Sequence, residues 1–314
     1  MEDVLVSIIV PTYNHEKYIS SCLDSILKQK TNFNYEVIVG EDQSRDNTRE
    51  ICEIYAQKHS NIIRLFLWNR EGEAYKEDQS TGRNNFTQCY KKARGKYIAI
   101  CEGDDYWIDE HKLQRQVDFL QANEDYSFCY TRFNTFNQEN NSFKIDFNGK
   151  YFKSNQVFID FTLETFQKGW HIGTQTLVLR KQSFNIENSK KFKYFRDIYI
   201  IVELLKKGKG ACLNFVGAVY RIHGGGVHSS VSVFNGFKKG YQCHKELYLN
   251  NKKNVFLKKK IMHSAQNFIE ANIQNKNIFK ALILSIELFF LNWSLVGLIK
   301  NFKRIGFTFF NFRK

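Results

Sequence analysis

A chain of 314 residues with 43% hydrophobic and 16% aromatic side chains can bury a sizeable core without staples, which excludes a disordered polypeptide. Seven scattered cysteines, with no C-x-x-C pair and an odd total, exclude a zinc ribbon or disulfide framework and lead us to expect a reducing, cytosolic setting. The formal charge of +14 is lopsided: from Lys238 to Lys314 fifteen Lys or Arg stand against three acids, a net of +12, leaving +2 for the rest, and that placement argues against a nucleic-acid signal, so no nucleic-acid partner is expected.

Val4 to Val10 is an apolar run ending at Pro11, the form of a central parallel strand buried on both faces; it is too short and lacks the basic flank for a signal peptide. Tyr18 to Lys30 carries Ile19, Cys22, Leu23, Ile26 and Leu27 at helical spacing. Tyr35 to Val39 reads as a second strand, Asn47 to Lys58 as a second helix and Ile62 to Leu67 as a third strand. Asn84 to Ala93 is a helix closed by Gly95, before the strand Lys96 to Cys101. This alternation predicts an open α/β sheet with right-handed crossovers. Beyond it, Glu110 to Ala122 is helical, and Tyr126 to Phe133, Ser142 to Phe147 and Thr174 to Leu179 read as strands. Arg196 to Lys206 reads as a helix, and Ala211 to Ile222 as a strand entering His223-Gly224-Gly225-Gly226.

Ligands of open α/β sheets bind beyond the strands' carboxyl ends, where three polar loops should converge: Pro11 to Asn14, Gly40 to Ser44 and Glu102 to Asp105. No G-x-G-x-x-G or P-loop follows the first strand, which argues against a dinucleotide site. Glu102, Asp104 and Asp105 put three carboxylates within four residues. Such charges repel unless a cation lies between them, and hard oxygen ligands suit Mg²⁺ or Mn²⁺; the alternative is a solvated helix cap.

Four segments together, SIIVPTYN (7–14), EVIVGEDQSRDNT (36–48), GKYIAICEGDDYW (95–107) and YRIHGGG (220–226), resemble bacterial family 2 glycosyltransferases. The resemblance implies a GT-A fold, a Rossmann-like open mixed sheet flanked by helices. It also implies inverting transfer from a nucleotide diphosphate sugar, usually a UDP-sugar, with a divalent cation (Mn²⁺ or Mg²⁺). On this reading Asp105 is the nearest metal ligand, with His223 and Glu102 beside it, although Glu102 stands where relatives carry aspartate. Asp104 lies nearer the donor. Asp42, preceded by Glu41, addresses the base, Tyr13 stacks on it next to Pro11, and Arg83 and Arg221 are diphosphate partners. Asp197 matches the catalytic carboxylate, with Glu203 as runner-up. Trp107, Trp170 and His171 are candidates for the acceptor pocket, since aromatic faces suit sugars. The expected division is a catalytic domain over 1–235, its nucleotide half about 1–107 and acceptor half about 108–235, and a basic helical region over 236–314.

The stretch Ala281 to Ile299 is strongly apolar but interrupted by Ser285, Glu287 and Asn292. A central glutamate costs on the order of ~3 kcal/mol on insertion scales, so a helix lying at an interface is expected rather than a span, unless the helices pack on the enzyme itself. The expected protein is therefore a cytoplasmic enzyme, peripheral on the inner face of the inner membrane, with a glycan or lipid-linked acceptor in surface polysaccharide synthesis. The alternative is an inactive GT-A-like protein that binds membrane or nucleic acid.

Overall fold

The computed structural model describes residues 3–72, 81–146, 148–167, 172–225, 232–292 and 294–311. Two compact units form: Met1–Lys190 with Arg196–Ser229, and Lys191–Phe195 with Ser230–Lys314.

The first unit is built on a ten-stranded mixed sheet. Its strands are β1 (Val6–Thr12), β2 (Tyr35–Glu41), β3 (Ile63–Leu67), β4 (Tyr97–Ile100), β5 (Tyr106–Trp107), β6 (Tyr126–Asn137), β7 (Ser142–Lys144), β8 (Phe158–Phe161), β9 (Val178–Arg180) and β10 (Lys209–Ile222). Its helices are α1 (Ile19–Leu27), α2 (Thr48–Lys58), α3 (Thr81–Lys92), α4 (Lys112–Ala122), α5 (Leu163–Gln167) and α6 (Asp197–Leu205). The order along the sheet is β3-β2-β1-β4-β9-β6-β10-β5, with β7 on β6 and β8 on β10. β3, β2, β1 and β4 are mutually parallel, and β9 enters antiparallel to both β4 and β6. Ile8, Val10, Val37, Val39 and Ala99 face one buried layer, while Ile9, Ile38, Ile98 and Ile100 are equally buried on the other. Helices on both faces are why these strands read as unbroken apolar runs.

The parallel half follows its sequence pattern to within a residue or three. The later segments depart more. Thr174 to Leu179 is not one strand: Thr174–Thr176 is a 3₁₀ turn and only Val178–Arg180 joins the sheet. Both the backbone N–H and the hydroxyl of Thr176 donate to the Gly173 carbonyl, at 2.9 and 2.7 Å, and that local bonding competes with the ladder. β5, β8 and α5 are too short to announce themselves by periodicity.

The second unit comprises α7 (Val233–Leu249), α8 (Val255–Gln274), α9 (Ile278–Asn292) and α10 (Leu295–Asn311). Tyr241, Ile261, Ala265, Phe268, Ile269, Ala281, Leu284, Leu288 and Ile305 form its core. The apolar stretch read as one helix over 281–299 is divided between α9 and α10. Ser294 opens α10 by accepting the Gly297 N–H at 3.1 Å, a capping signal inside the apolar run. Glu287 is satisfied within this unit, bonded to the Tyr241 hydroxyl and 2.7 Å from Lys245 Nζ. Among the described residues no helix is long and apolar enough to cross a membrane.

Candidate active site

The acidic turn follows β4, between the carboxyl ends of β1 and β10. Gly103 is required there: its N–H donates to the Pro11 carbonyl at 3.1 Å. A Cβ on Gly103 would lie 2.5 Å from Thr12 Oγ1 and 2.9 Å from His15 Nδ1, so any other residue would displace the β1 loop.

Three side chains able to ligate a metal meet beside this turn. Asp104 Oδ2 is 3.1 Å from His223 Nε2 and 3.6 Å from His15 Nε2, and the ligand atoms of all three lie within 4.8 Å of one another. Burial works to raise the Asp104 pKa, but the His223 hydrogen bond and the two imidazoles outweigh it and hold the carboxyl below its ordinary value. Burial, opposed by the Asp104 charge, lowers the His15 pKa from its ordinary value. Two imidazoles and a carboxylate fit a divalent transition-metal ion.

The two aspartates of the turn point to different partners. Asp104, not Asp105, faces the histidines. Asp105 is buried and turned the other way, its Oδ1 accepting the Arg221 N–H at 2.8 Å. Burial, reinforced by Asp104 and Glu102, pushes the Asp105 pKa well up. Arg221 acts on the turn itself: Nη1 donates to the Asp104 carbonyl at 2.8 Å, Nη2 to Ser21 Oγ at 3.0 Å, and the guanidinium lies between the Tyr18 and Tyr106 rings at 4.9 and 4.7 Å. Glu102 bonds the Thr174 side chain, while its Oε2 is shielded from solvent without a hydrogen-bond partner. Burial first, then Asp197 and Asp104, push its pKa up to about 8.

Asp197 is the first residue of α6 and is exposed. With Ile172, Thr174, Leu177 and Ile198 it lines a small cavity of about 90 Å³. Its charge raises the pKa of Glu102 and, behind burial and the three acids of the turn, of Tyr220. Asp197 thus lies within electrostatic reach of the acidic turn. Glu203 pairs with Lys206 at 2.6 Å, away from this cluster.

Around β2, Asp42 Oδ2 pairs with Arg70 Nη2 at 2.8 Å, and the Arg70 guanidinium covers the Tyr13 ring at 3.7 Å. Asp42 and Tyr13 do meet, but through an arginine occupying the face expected for a base. Pro11 lies on β1, its carbonyl holding Gly103. Glu41 is fully buried, accepting from Ser44 N–H and Arg49 Nε at 2.6 Å each; it shapes the loop. Arg83 sits half-buried in the first turn of α3. Trp107 departs from its expected place: it is 3% exposed, its Nε1–H donates to the Gln175 carbonyl at 2.8 Å, and its ring packs in the core instead of lining an acceptor pocket. Trp170 and His171 lie outside the described residues. Sequence reasoning missed His15, Arg70 and Thr174. A histidine four residues past Pro11, at the end of a central strand, was a usable signal for the first; the other two act through long-range contacts without a motif.

The sheet and this strand-end cluster define an α/β protein with a candidate site at the carboxyl ends of its strands, and comparison supplies the family. The model of Glycosyl transferase family 2 matches residues 7–185, and the chain belongs to that family, with the GT-A fold. The Escherichia coli protein "UDP-Glc:alpha-D-GlcNAc-diphosphoundecaprenol beta-1,3-glucosyltransferase WfgD" is 32% identical over 233 residues, 73% of this chain and 82% of that protein. The uncharacterized protein Rv1520 of Mycobacterium tuberculosis (strain ATCC 25618 / H37Rv) is 36% identical over 125 residues, 40% of this chain, which spans only 34% of that protein's length. In fold, the chain is similar to S. aureus TarS 1-349 solved in complex with UDP-GlcNAc, at TM-score 0.62 and 17% identity, covering 98% of this chain and 92% of the other.

Proposed function

We propose that the protein is an inverting glycosyltransferase that moves a sugar from a UDP-sugar to a hydroxyl of a glycan or lipid-linked acceptor in bacterial surface polysaccharide synthesis. The observation carrying this reading is the convergence of His15, Asp104 and His223 at the ends of β1, β4 and β10, with the charge of Asp197 felt by Glu102 of the same turn. The relative named for a UDP-Glc donor and a diphosphoundecaprenol acceptor supports the substrate classes.

His15, Asp104 and His223 would hold a divalent cation, which when bound supplies positive charge to the departing diphosphate. Asp197 takes the proton of the acceptor hydroxyl. As the hydroxyl oxygen bonds to the anomeric carbon, the bond from that carbon to the diphosphate oxygen breaks, its electron pair leaves with UDP, and attack from the opposite face inverts the centre. Arg221 holds the Asp104 backbone, so the carboxylate is presented in one orientation. Next to Tyr13 and Asp42, Arg70 either moves aside for the base or stacks with it.

UDP-sugar hydrolysis in the presence of Mn²⁺ is the direct test. Turnover should appear with a UDP-sugar, cease with EDTA and return with excess Mn²⁺. Robust turnover in EDTA would remove the metal from the reading, and no UDP-induced melting shift with any UDP-sugar would remove the donor class.

A further inference from the structure

The second unit carries more exposed apolar surface than its own core requires. On α9, Ala281, Leu284, Ser285 and Leu288 are buried, whereas Phe279, Ile283, Ile286 and Phe290 are 78, 37, 43 and 60% exposed. At 3.6 residues per turn these four fall within one narrow stripe opposite the buried face. On α10, Asn301 and Ile305 are buried while Leu295, Val296, Ile299 and Phe302 are exposed. Cations accompany both stripes: Lys276 and Lys280 are exposed at the start of α9, and Lys300 and Lys303 along α10. Phe279 also lines an open cavity of about 980 Å³ with Phe234, Phe268, Lys238, Lys276 and Lys280, an apolar floor with ammonium groups and no carboxylate.

We propose that α9 and α10 form a docking surface for an anionic lipid bilayer. In this arrangement the Phe279–Phe290 stripe enters the interfacial layer, and the lysines, including those of the cavity, face lipid phosphates. Charge selects this occupant over a second copy of the chain. Residues 238–314 carry a net +12, and their three acids are already engaged: Glu246 accepts the Lys193 and Tyr194 N–H groups, Glu270 pairs with Arg304, and Glu287 pairs with Lys245. Two such units would repel, whereas an anionic surface strengthens binding roughly fivefold per nearby cation. No described helix can span a bilayer, so contact is confined to the interface. The surface serves the lipid-linked acceptor proposed above, yet vesicle binding and donor turnover are read separately, and either can fail alone.

The test is co-sedimentation of the full chain with phosphatidylcholine vesicles, with and without phosphatidylglycerol. Binding should require phosphatidylglycerol and weaken with salt. Phe279→Asp with Phe290→Asp should reduce it at least ~10-fold, and Lys276→Glu with Lys280→Glu should do the same. Both pairs lie on exposed faces, so melting curves and UDP-sugar hydrolysis in solution should not change. Equal binding by the variants and the parent, or no preference for phosphatidylglycerol, would overturn the proposal. So would a dimer, seen by sedimentation equilibrium, that Phe290→Asp dissociates while vesicle binding is absent.

Discussion

At the scale of single residues, burial and neighbours set apart the three carboxyl groups of the turn, and the proposed base stands outside it. Asp104 is held below its ordinary range beside two imidazoles, Asp105 and Glu102 are pushed up, and Asp197 stands exposed at a helix start. Asp197→Asn should lower kcat about 10²–10⁴-fold while leaving UDP-sugar affinity unchanged by calorimetry; near-normal turnover would move the base elsewhere. His15→Ala should weaken Mn²⁺ binding roughly 10-fold, read by titration of free Mn²⁺ in electron paramagnetic resonance. An unaltered affinity would leave Asp104 and His223 as the only protein ligands among the three. Gly103→Ala needs no chemistry to be harmful, because its methyl group would press on Thr12 and His15.

At the scale of elements, α4 holds a feature that apolar periodicity would not produce. Lys112 is fully buried, its Nζ lies 3.9 Å over the Trp107 ring, and it has no hydrogen-bond partner among the described residues. Burial lowers its pKa to about 7. Below pH 7 both folded and unfolded chains carry the charge, and the folded state bears the full cost of hiding it. From pH 7 to about 10.5 the unfolded chain keeps a proton that the folded chain has released, so stability rises with pH. Lys112→Met should therefore stabilise by ~2–4 kcal/mol at or below pH 7, with the gain shrinking towards zero near pH 10 in denaturant melts. A gain that does not depend on pH would mean that the amine finds solvent in the folded state.

At the scale of the whole molecule, each unit has a separate core, and the two should fail separately. Truncation before residue 276 would strip Ala281, Leu284, Leu288 and Ile305 from the second core and expose Tyr241 and Phe268. The truncated chain should lose helical signal beyond the deleted residues and aggregate, by circular dichroism and light scattering. Point substitutions on the exposed stripes are therefore the cleaner probe of membrane contact. Retained solubility of the truncation with full residual helicity would show α7 and α8 to be self-sufficient.

Local pattern carried the parallel half of the sheet, because strands buried on both faces must be apolar throughout and the helices between them must show one apolar stripe. The basic, helical character of 236–314 and the acidic turn after β4 were legible for the same reason: charge and periodicity are properties of contiguous residues. Only the tertiary structure decided which acid of the turn meets the histidines. Asp104 and Asp105 are neighbours in sequence, and the Arg221 N–H, more than a hundred positions later, turns one carboxylate inward while leaving the other facing His15 and His223. The same holds for Trp107, which looks like a sugar-binding ring beside the turn until Gln175 takes its N–H into the core. It holds also for Arg70 on Tyr13, a contact made across two loops. Contacts between distant segments have no period to read, so roles that depend on where a side chain points were settled by packing alone.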